Sequence, residues 1–350
     1  MKLRLLTLPL GALALAAVSS AQFANQTLAV VLLDGNGAAP TGLGVQTRLA
    51  NFAKTGTGQT PITTVTLPQF NSGTATSEGF LQSDGANPFN LYLTGYTSAV
   101  TSGTINGSSA ATNARVITQF NALTGAITTT TLGANDFDAG SPRSAVYVNN
   151  TLYAAGAGAA TGDQRLLQGT PGATFGGTQD LTAVAGATAT LRVTHVQAGT
   201  VYASAAANIY SFNGTTQSTI FSTTTPGFTS AYDFRFADAN TLYITDDSAS
   251  GGLFRSVRDA STGLFGAATK VGTVGALRGL AFDGSTLYAT SATGTSIYSI
   301  DPTSGAFTTL ATAGTGQVFR GVEVVPEPAT MAAMALGLGA LAARRRRKSA

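Results

Sequence analysis

Four closely related phrases decide the fold: Thr151-Leu152-Tyr153-Ala154, Thr200-Val201-Tyr202-Ala203, Thr241-Leu242-Tyr243-Ile244 and Thr286-Leu287-Tyr288-Ala289. Their tyrosines follow one another at intervals of 49, 41 and 45 residues. A fainter copy, Asn90-Leu91-Tyr92-Leu93, lies 61 residues before the first of them. Short segments rich in β-branched and aromatic residues are typical of β-strands. Their recurrence at a nearly fixed period predicts a repeat architecture.

The residues on both sides of each phrase repeat as well. Arg143, Arg192 and Arg278 each lie eight residues before the threonine of the phrase, and Asp233 takes this position in the remaining copy. Hairpin turn signals end the strand that precedes the phrase, at Asn149-Asn150, Ala198-Gly199 and Asp283-Gly284. Further strand-like segments and a turn follow it, as in Asp301-Pro302-Thr303-Ser304-Gly305. Each unit therefore predicts four short strands joined by tight turns.

Four antiparallel strands in a unit of ~40–50 residues are typical of a β-propeller blade. The repeats resemble those of bacterial surface propellers of the Tyr-Val-Thr-Asn kind. The chain contains no tryptophan, so the Trp-Asp signature of another propeller family is absent. We predict an all-β fold, a propeller of six or seven four-stranded blades. A β-solenoid is the alternative, although its coils are usually shorter and lack this phrasing of strands and turns.

The two ends of the repeat region complement each other. Residues 319–325 match the first strand of a unit, with Arg320-Gly321 corresponding to Arg278-Gly279, but the phrase that should follow is missing there. Residues 26–31 match that missing continuation. We therefore predict a closing blade built from both ends, which would remove the exposed edge strand that an open ring leaves. Four clear units, the Tyr92 copy and this closing blade give six blades. The regions 32–90 and 100–140, which show no clear repeat, could contain a seventh.

The N-terminus predicts export. Lys2 and Arg4 precede an apolar run from Leu5 to Val18, and small residues follow. This order is typical of a signal peptide, which we place at residues 1–21, with signal peptidase cleaving between Ala21 and Gln22. Residues 22–325 then form the propeller domain.

The C-terminal segment, residues 326–350, has three parts. Pro326, Glu327 and Pro328 come first, and a run without charges covers residues 329–343. We predict a hydrophobic transmembrane helix for that run, although at about 22 Å it would be shorter than a comfortable membrane span of about 20 residues. Five basic residues that would keep the extreme C-terminus on the cytoplasmic side follow it: Arg344, Arg345, Arg346, Arg347 and Lys348.

This tail resembles the PEP-CTERM sorting signal of envelope-bearing bacteria in all three parts and in their order. The resemblance implies transient anchoring in the inner membrane and recognition by an exosortase, which removes the hydrophobic tail. It also implies a place in the cell envelope or the extracellular matrix, often beside exopolysaccharide or biofilm production. The alternative is a plain C-terminal anchor, which only the Pro326–Pro328 signal separates from a sorting tail.

Composition narrows the function classes. Without the seven basic residues of the two ends, 12 basic residues remain against 16 acidic ones, a net charge near −4. Nucleic-acid binding needs a basic face, so we expect none. Only 10% of residues are charged but 43% are apolar, which favours a folded, weakly charged body over disorder. Because there is no cysteine, an exported chain of this kind has no disulfides to stabilise it.

Few residues suggest chemistry. His195 is the only histidine and stands in a repeat strand at the position of Val146 and Ala281, so we interpret it as an ordinary strand residue. The carboxylates of Asp136 with Asp138, Asp233 with Asp238, and Asp246 with Asp247 lack calcium-loop spacing. A weak calcium contact at the last pair stays open. We predict that the repeat tyrosines serve blade packing rather than form a sugar-binding ladder, and we predict no catalytic residue, metal site or cofactor.

Two functions are compatible with these observations. The first is a non-enzymatic structural or binding module of the envelope or matrix, contacting polysaccharide or another protein through loops at the mouth of the propeller. The second is a propeller hydrolase or lyase with a carboxylate-based or calcium-assisted site in the central channel. Carboxylates converging on the channel would favour the enzyme, whereas a channel lined by Thr, Ala and Gly would favour the module.

Overall fold

The computed structural model describes residues 23–24, 26–158, 166–172, 175–180, 190–213, 216–222 and 227–327. The predicted signal peptide with its cleavage residues, Pro328, the apolar run and the basic end lie outside these ranges. Within them, no helix is long and apolar enough to cross a membrane. Apart from one 3-10 turn, the regular secondary structure of the described residues consists of β-strands.

The structure contains four four-stranded sheets and one eight-stranded sheet, all antiparallel between neighbours. The eight-stranded sheet has two halves of four strands. The halves are joined between β3 (Thr63–Asn71) and β5 (Asn90–Tyr96) through the single residue pair Phe70–Tyr96. One 3-10 turn, Ile105–Gly107, interrupts the strands. The strands of the eight-stranded sheet are β1 (Thr27–Asp34), β2 (Val45–Ala53), β3 (Thr63–Asn71), β4 (Gln82–Ser83), β5 (Asn90–Tyr96), β6 (Arg115–Asn121), β7 (Ile127–Thr131) and β24 (Gln317–Val325). The remaining sheets are β8 (Ser141–Val148), β9 (Thr151–Ala157), β10 (Leu166–Thr170), β11 (Gly176–Asp180); β12 (Thr194–Gln197), β13 (Thr200–Ser204), β14 (Asn208–Asn213), β15 (Thr216–Ser222); β16 (Ala231–Phe236), β17 (Thr241–Asp246), β18 (Gly252–Val257), β19 (Thr269–Lys270); and β20 (Leu277–Phe282), β21 (Leu287–Ser291), β22 (Ser296–Ile300), β23 (Phe307–Thr312).

The sheets stand in a propeller-like ring. Strand β4 contacts β8, β8 contacts β12, β12 contacts β16, and β16 contacts β20. Strand β20 contacts β24, which in turn contacts β4 and so closes the circle. We call these six strands the inner strands. Each is the first strand of its set of four, so the repeated phrase, which forms β9, β13, β17 and β21, lies one strand further out.

The predicted pairing of the two ends of the body is confirmed. Strand β1 pairs with β24 from Thr27 opposite Val325 to Asp34 opposite Gln317, and its other edge pairs with β2. A bulge lies between Val30 and Leu32. The N-terminal strand therefore fills the space between the last inner strand and β2, and no open edge is left at this point of the ring.

The apolar core is divided among the interfaces between sheets. We call β24, β1, β2 and β3 the closing sheet. One cluster joins its residues Leu28 and Phe52 to Tyr288 and Leu310 of the neighbouring β20–β23 sheet. The repeat tyrosines lie at such interfaces and serve blade packing, the role predicted for them. Tyr202 packs on Phe236 of the next inner strand, with 4.7 Å between the ring centroids. The same tyrosine-to-aromatic contact recurs as Tyr92–Tyr147 and Tyr243–Phe282. Because each sheet buries its faces against two neighbours, the ring stabilises itself without disulfides.

A second repeated contact links neighbouring sheets by hydrogen bonds. The residue after the repeated phrase carries a hydroxyl that donates to a carbonyl of the next inner strand. Thr245 donates to the Arg278 carbonyl at 2.7 Å, and Thr290 donates to the Arg320 carbonyl at 2.6 Å. Ser204 donates to the Tyr232 carbonyl in the same way. These three hydroxyls are buried, so each bond satisfies a backbone group that water does not reach.

Candidate functional site

The repeated arginine position lies near the start of five of the six inner strands. Opposite the last residue of the phrase stand Ala145, Thr194, Phe234, Leu280 and Val322. Two residues before them come Arg143, Arg192, Tyr232, Arg278 and Arg320, respectively. The assignment of Asp233 to this position was therefore wrong, and Tyr232 occupies it. The turn between β16 and β17 is one residue longer than that between β20 and β21, so counting eight residues backwards selects the wrong neighbour.

We call Arg143, Arg192, Arg278 and Arg320 the arginine layer. They gather around Tyr232: the Arg192 guanidinium lies 4.5 Å and the Arg278 guanidinium 5.2 Å from the centre of its ring. Cations favour the negative face of an aromatic ring. The Tyr232 ring in turn packs on Phe80, with 5.1 Å between the ring centroids. Phe80 lies two residues before β4, which stands across the propeller from β16, so these two aromatic side chains meet at the axis.

The arginines differ in how their charges are balanced. Arg278 donates two hydrogen bonds to one carboxylate oxygen of Asp247, at 2.8 and 3.0 Å, and Arg192 lies 3.8 Å from the other oxygen. Arg143 and Arg320 have no ion-pair partner among the residues that the structure describes. Burial, together with repulsion from Arg278, lowers the pKa of Arg320 to about 10. Burial and the charge of Arg192 also lower the pKa of Arg143.

A second group of charges, which we call the axial ion cluster, consists of Asp233, Arg235 and Glu323. Arg235 donates to Asp233 at 2.7 Å and to Glu323 at 3.1 Å, and all three residues are buried. Arg235 and Glu323 directly follow Phe234 and Val322 along their inner strands and stand opposite Tyr243 and Ala29. Strands β16 and β24 are separated by β20, so this pair also bridges non-adjacent inner strands.

The carboxylates of the axial ion cluster serve structural bonds. Asp233 accepts hydrogen bonds from the backbone N–H groups of Phe234, at 2.8 Å, and Leu280, at 2.9 Å. Ser144 has the same role elsewhere in the ring, because its hydroxyl accepts from the backbone of Thr194 at 2.7 Å. Desolvation raises the pKa of Asp233 to about 6 against the opposing charge of Arg235, and desolvation likewise raises the pKa of Glu323. These carboxylates converge on the axis, but the protein's own donors neutralise and occupy them.

His195 lies in β12 at the predicted position, level with Val146 and Ala281. Its Nδ1 atom is 3.3 Å from the side-chain oxygen of Gln82, and its ring stacks on Phe236 at 6.1 Å between centroids. Although part of the residue reaches solvent, desolvation and the charge of Arg235 hold the pKa of His195 well below its usual value. A neutral imidazole among aromatic rings and an amide fits the interpretation as a strand residue.

The other predicted carboxylates mostly organise loops. Asp136 accepts from the Gly133 backbone at 2.7 Å, Asp138 accepts from Ala110, and Asp238 accepts from Asn240. Asp246 is buried, and its two oxygens accept three backbone N–H groups, at 2.6 to 3.0 Å. Within the described part of the chain, no three metal-ligating side chains come close enough together to hold an ion.

The sorting signal begins where the ring ends. Pro326 and Glu327 follow the last residue of β24 without a linker, and both are half-buried. They line a pocket of about 520 Å³ together with Lys54, Asp283 and Glu323. Lys54 donates to Asp283 at 2.8 Å across the interface between the closing sheet and its neighbour. The signal thus lies against the face opposite the arginine layer, where the inner strands end.

Several residues of this site were not found from the sequence. Glu78 precedes β4, and its buried carboxylate accepts from the Ser72 backbone at 2.9 Å and from the Tyr96 hydroxyl at 2.8 Å. Arg320 and Glu323 lie in the segment that was matched to a unit, and the match already aligned Arg320 with Arg278. That alignment was the available signal for a fourth arginine. Nothing local distinguishes Arg235 or Glu78.

Comparison with known proteins identifies the end of the chain. Residues 324–347 match the family model of the PEP-CTERM protein-sorting motif. The chain carries a PEP-CTERM motif. This motif implies that the protein is exported, sorted to the cell envelope and processed by an exosortase. None of the curated proteins matches the chain.

Solved structures resemble the body. A chain of a nidogen–laminin complex is 12% identical with a TM-score of 0.55; the match covers 85% of this chain and 98% of that one. A putative 6-phosphogluconolactonase from Bacteroides fragilis is 11% identical with a TM-score of 0.50, covering 86% of this chain and 98% of that one. At such identities the likeness shows a shared fold alone, and with the ring of small sheets it supports the propeller-like description.

Proposed function

We propose that the PEP-CTERM protein is held briefly in the inner membrane by its C-terminal run, cleaved near Pro326–Pro328, and released as a non-enzymatic binding module of the envelope or the extracellular matrix. The eight-stranded sheet counts as two blades in this proposal, so that the body is a six-bladed propeller. Polysaccharide or another envelope protein would be its partner, at a mouth of the propeller.

The observation that carries this proposal is where the motif begins. Strand β24 completes the ring through Val325, which pairs with Thr27, and Pro326 follows at once. Removal of the tail beyond this point takes away no residue of the β1–β24 ladder. The processed body would therefore keep its fold, as a sorted protein must.

The inner strands support a binding role over catalysis. Asp233 and Glu323 are held by Arg235 and by backbone donors, so neither is free to act as a general acid, base or nucleophile without breaking the axial ion cluster. General acid–base catalysis needs a group that can reach the substrate. Among the described residues, Arg143 and Arg320 each retain a buried Nε–H group without an acceptor, and arginines suit recognition of anions.

Fractionation of the native host tests the proposal. Cells producing the wild type, a variant with Pro326-Glu327-Pro328 replaced by Ala-Ala-Ala, and the control Pro302→Ala in the β22–β23 turn would be separated into inner membrane, outer envelope and medium. We expect the wild type and the control outside the inner membrane and the triple variant within it. An unchanged distribution of the triple variant would contradict sorting through this signal.

A further inference from the structure

The arginine layer contains more positive charge than its surroundings balance. Asp247 is the one carboxylate within ion-pair distance of its members in the described part of the chain. Glu78 is close enough to influence Arg143 and Arg320 electrostatically, but its oxygens are bonded to Ser72 and Tyr96 instead. Like charges this close repel one another unless an anion lies between them.

The guanidinium groups also have unused donors. The Nε–H groups of Arg143 and Arg320 are buried and have no hydrogen-bond acceptor among the described residues. Arg143 makes one long bond, 3.4 Å, from a terminal nitrogen to the Leu191 carbonyl. A buried donor without an acceptor is costly, so native structures nearly always satisfy it. Because these two atoms are shielded from solvent, an acceptor supplied from outside the chain would satisfy them only once the guanidinium groups move toward it.

The layer is open to a ligand on one side. The side chains of Arg192 and Arg278 are 17% and 15% exposed, and Arg143 is half-buried, whereas Arg320 lies deeper at 3%. The Tyr232 and Phe80 rings are 2% and 0% exposed and pack together beneath the guanidinium groups. A ligand group that enters from the mouth would therefore meet the guanidinium groups of Arg192 and Arg278, which lie over the buried Tyr232 ring.

Planar guanidinium groups match carboxylate, sulfate and phosphate oxygens, which they bind through paired hydrogen bonds. We propose that the arginine layer is an oxyanion-binding site at the mouth of the ring, with Arg143, Arg192 and Arg278 contacting the anion and Arg320 supporting them from behind. The oxyanion is either a small inorganic ion or an acidic group of a polysaccharide. The second source rests on the proposed function, whereas the site itself does not.

Calorimetric titration of the exported protein, purified from its native host, tests the site. Sodium sulfate, an oligogalacturonate and a neutral dextran oligomer would be added at constant ionic strength, because simple salts change stability without a specific site. The variant Arg143→Gln keeps the size and polarity of the side chain but removes the charge. Its matched control is Arg255→Gln on β18, which removes the same charge from an exposed outer position.

We expect saturable binding of sulfate or oligogalacturonate, at least tenfold weaker in Arg143→Gln and unchanged in Arg255→Gln. Tighter binding of the oligomer than of sulfate would identify an acidic polysaccharide as the source, and the reverse would identify a small ion. The proposal is overturned if neither anion binds, if dextran binds equally well, or if both variants behave like the wild type.

Two further measurements keep the test decisive. If Arg143→Gln does not fold, Arg278→Lys replaces it, because it keeps the charge and loses the paired geometry; equal affinity in that variant would overturn the proposal. The fractionation experiment does not involve anions. Correct sorting without anion binding would therefore reject this site alone, and anion binding without sorting would reject the proposed function alone.

Discussion

Removal of the Arg235 guanidinium is the sharpest perturbation of the ring axis. This group alone bridges Asp233, at 2.7 Å, and Glu323, at 3.1 Å, and all three residues are buried. In Arg235→Met the two carboxylates would face each other without a counterion. Breaking a buried ion pair from one side typically costs about 3–5 kcal/mol, because an uncompensated charge remains. We expect a loss of that size in the free energy of unfolding at about pH 7.5.

The same variant should lose less stability in acid. Desolvation already raises the pKa of Asp233 to about 6, and the loss of the Arg235 charge would raise it further. A folded-state pKa above the unfolded value of about 3.9 means that the folded protein holds a proton which the unfolded chain releases. That contribution is fully present at low pH and is lost as the pH rises through the folded pKa. For each further unit by which the variant raises the pKa of Asp233, its loss of unfolding free energy should be about 1.4 kcal/mol smaller at about pH 4.5 than at about pH 7.5.

Equilibrium urea unfolding at the two pH values measures both quantities. Arg255→Met is the control, since its side chain is exposed on β18 and such changes usually stay within about 0.5 kcal/mol. A loss below about 1 kcal/mol at the higher pH would refute the role of the axial ion cluster. An equal loss at both pH values would refute the charge-based explanation.

Three smaller changes test other contacts. Thr290→Val should lower the free energy of unfolding by about 1–3 kcal/mol in urea titrations, because it leaves the buried Arg320 carbonyl without its donor. The C2 proton of His195, the single histidine, should not titrate in NMR spectra between about pH 7.5 and pH 5.5, since its pKa is held well below the usual value. Gly272→Ala should cost about 1–3 kcal/mol of unfolding free energy beyond backbone strain, because its Cβ would lie 2.2 Å from the Gly305 carbonyl oxygen.

These changes have matched controls. Thr308→Val alters an exposed threonine of β23 and should be nearly neutral. Gly263→Ala has a similar positive φ, +72° against +69° for Gly272, but nothing within 4 Å of the new Cβ. Equal losses in the two glycine variants, or in the two threonine variants, would contradict the packing argument. A histidine midpoint near pH 6.5 would contradict the buried neutral imidazole.

The sequence predicted those parts of the fold that are encoded locally. The repeated phrase forms strands, and the turns at Asn149-Asn150, at Ala198-Gly199 and around Asp301 fall between strands, as expected. Asn149 and Asn150 both have positive φ, 50° and 62°, as a tight hairpin turn requires. The β1–β24 pairing was also predictable, since two incomplete units complement each other. The sorting tail is a linear motif and needs no fold to be recognised.

The candidate site was less predictable because it depends on ring closure. Arg235 and Glu323 are 88 residues apart, and only the circular order of the inner strands brings them together. Because the β16–β17 turn has one extra residue, counting back from the repeated phrase selected Asp233 where Tyr232 occupies the arginine position. Whether a carboxylate on the axis is free or neutralised depends on such long-range partners. The expectation of either bare carboxylates or a neutral lining therefore missed the observed case, in which Arg235 neutralises the carboxylates of Asp233 and Glu323 on the axis.

Intact-mass analysis of the protein from its native host tests the central claim most directly. The wild type would be compared with the variant in which Pro326-Glu327-Pro328 is replaced by Ala-Ala-Ala. Sorting by an exosortase predicts that the wild-type mass corresponds to a chain that ends near Pro326–Pro328 and lacks the apolar run and the basic end. The mass of the variant should correspond to a chain that retains both. A wild-type protein that still carries Arg344 to Lys348 would contradict it, because the tail would then be only an anchor.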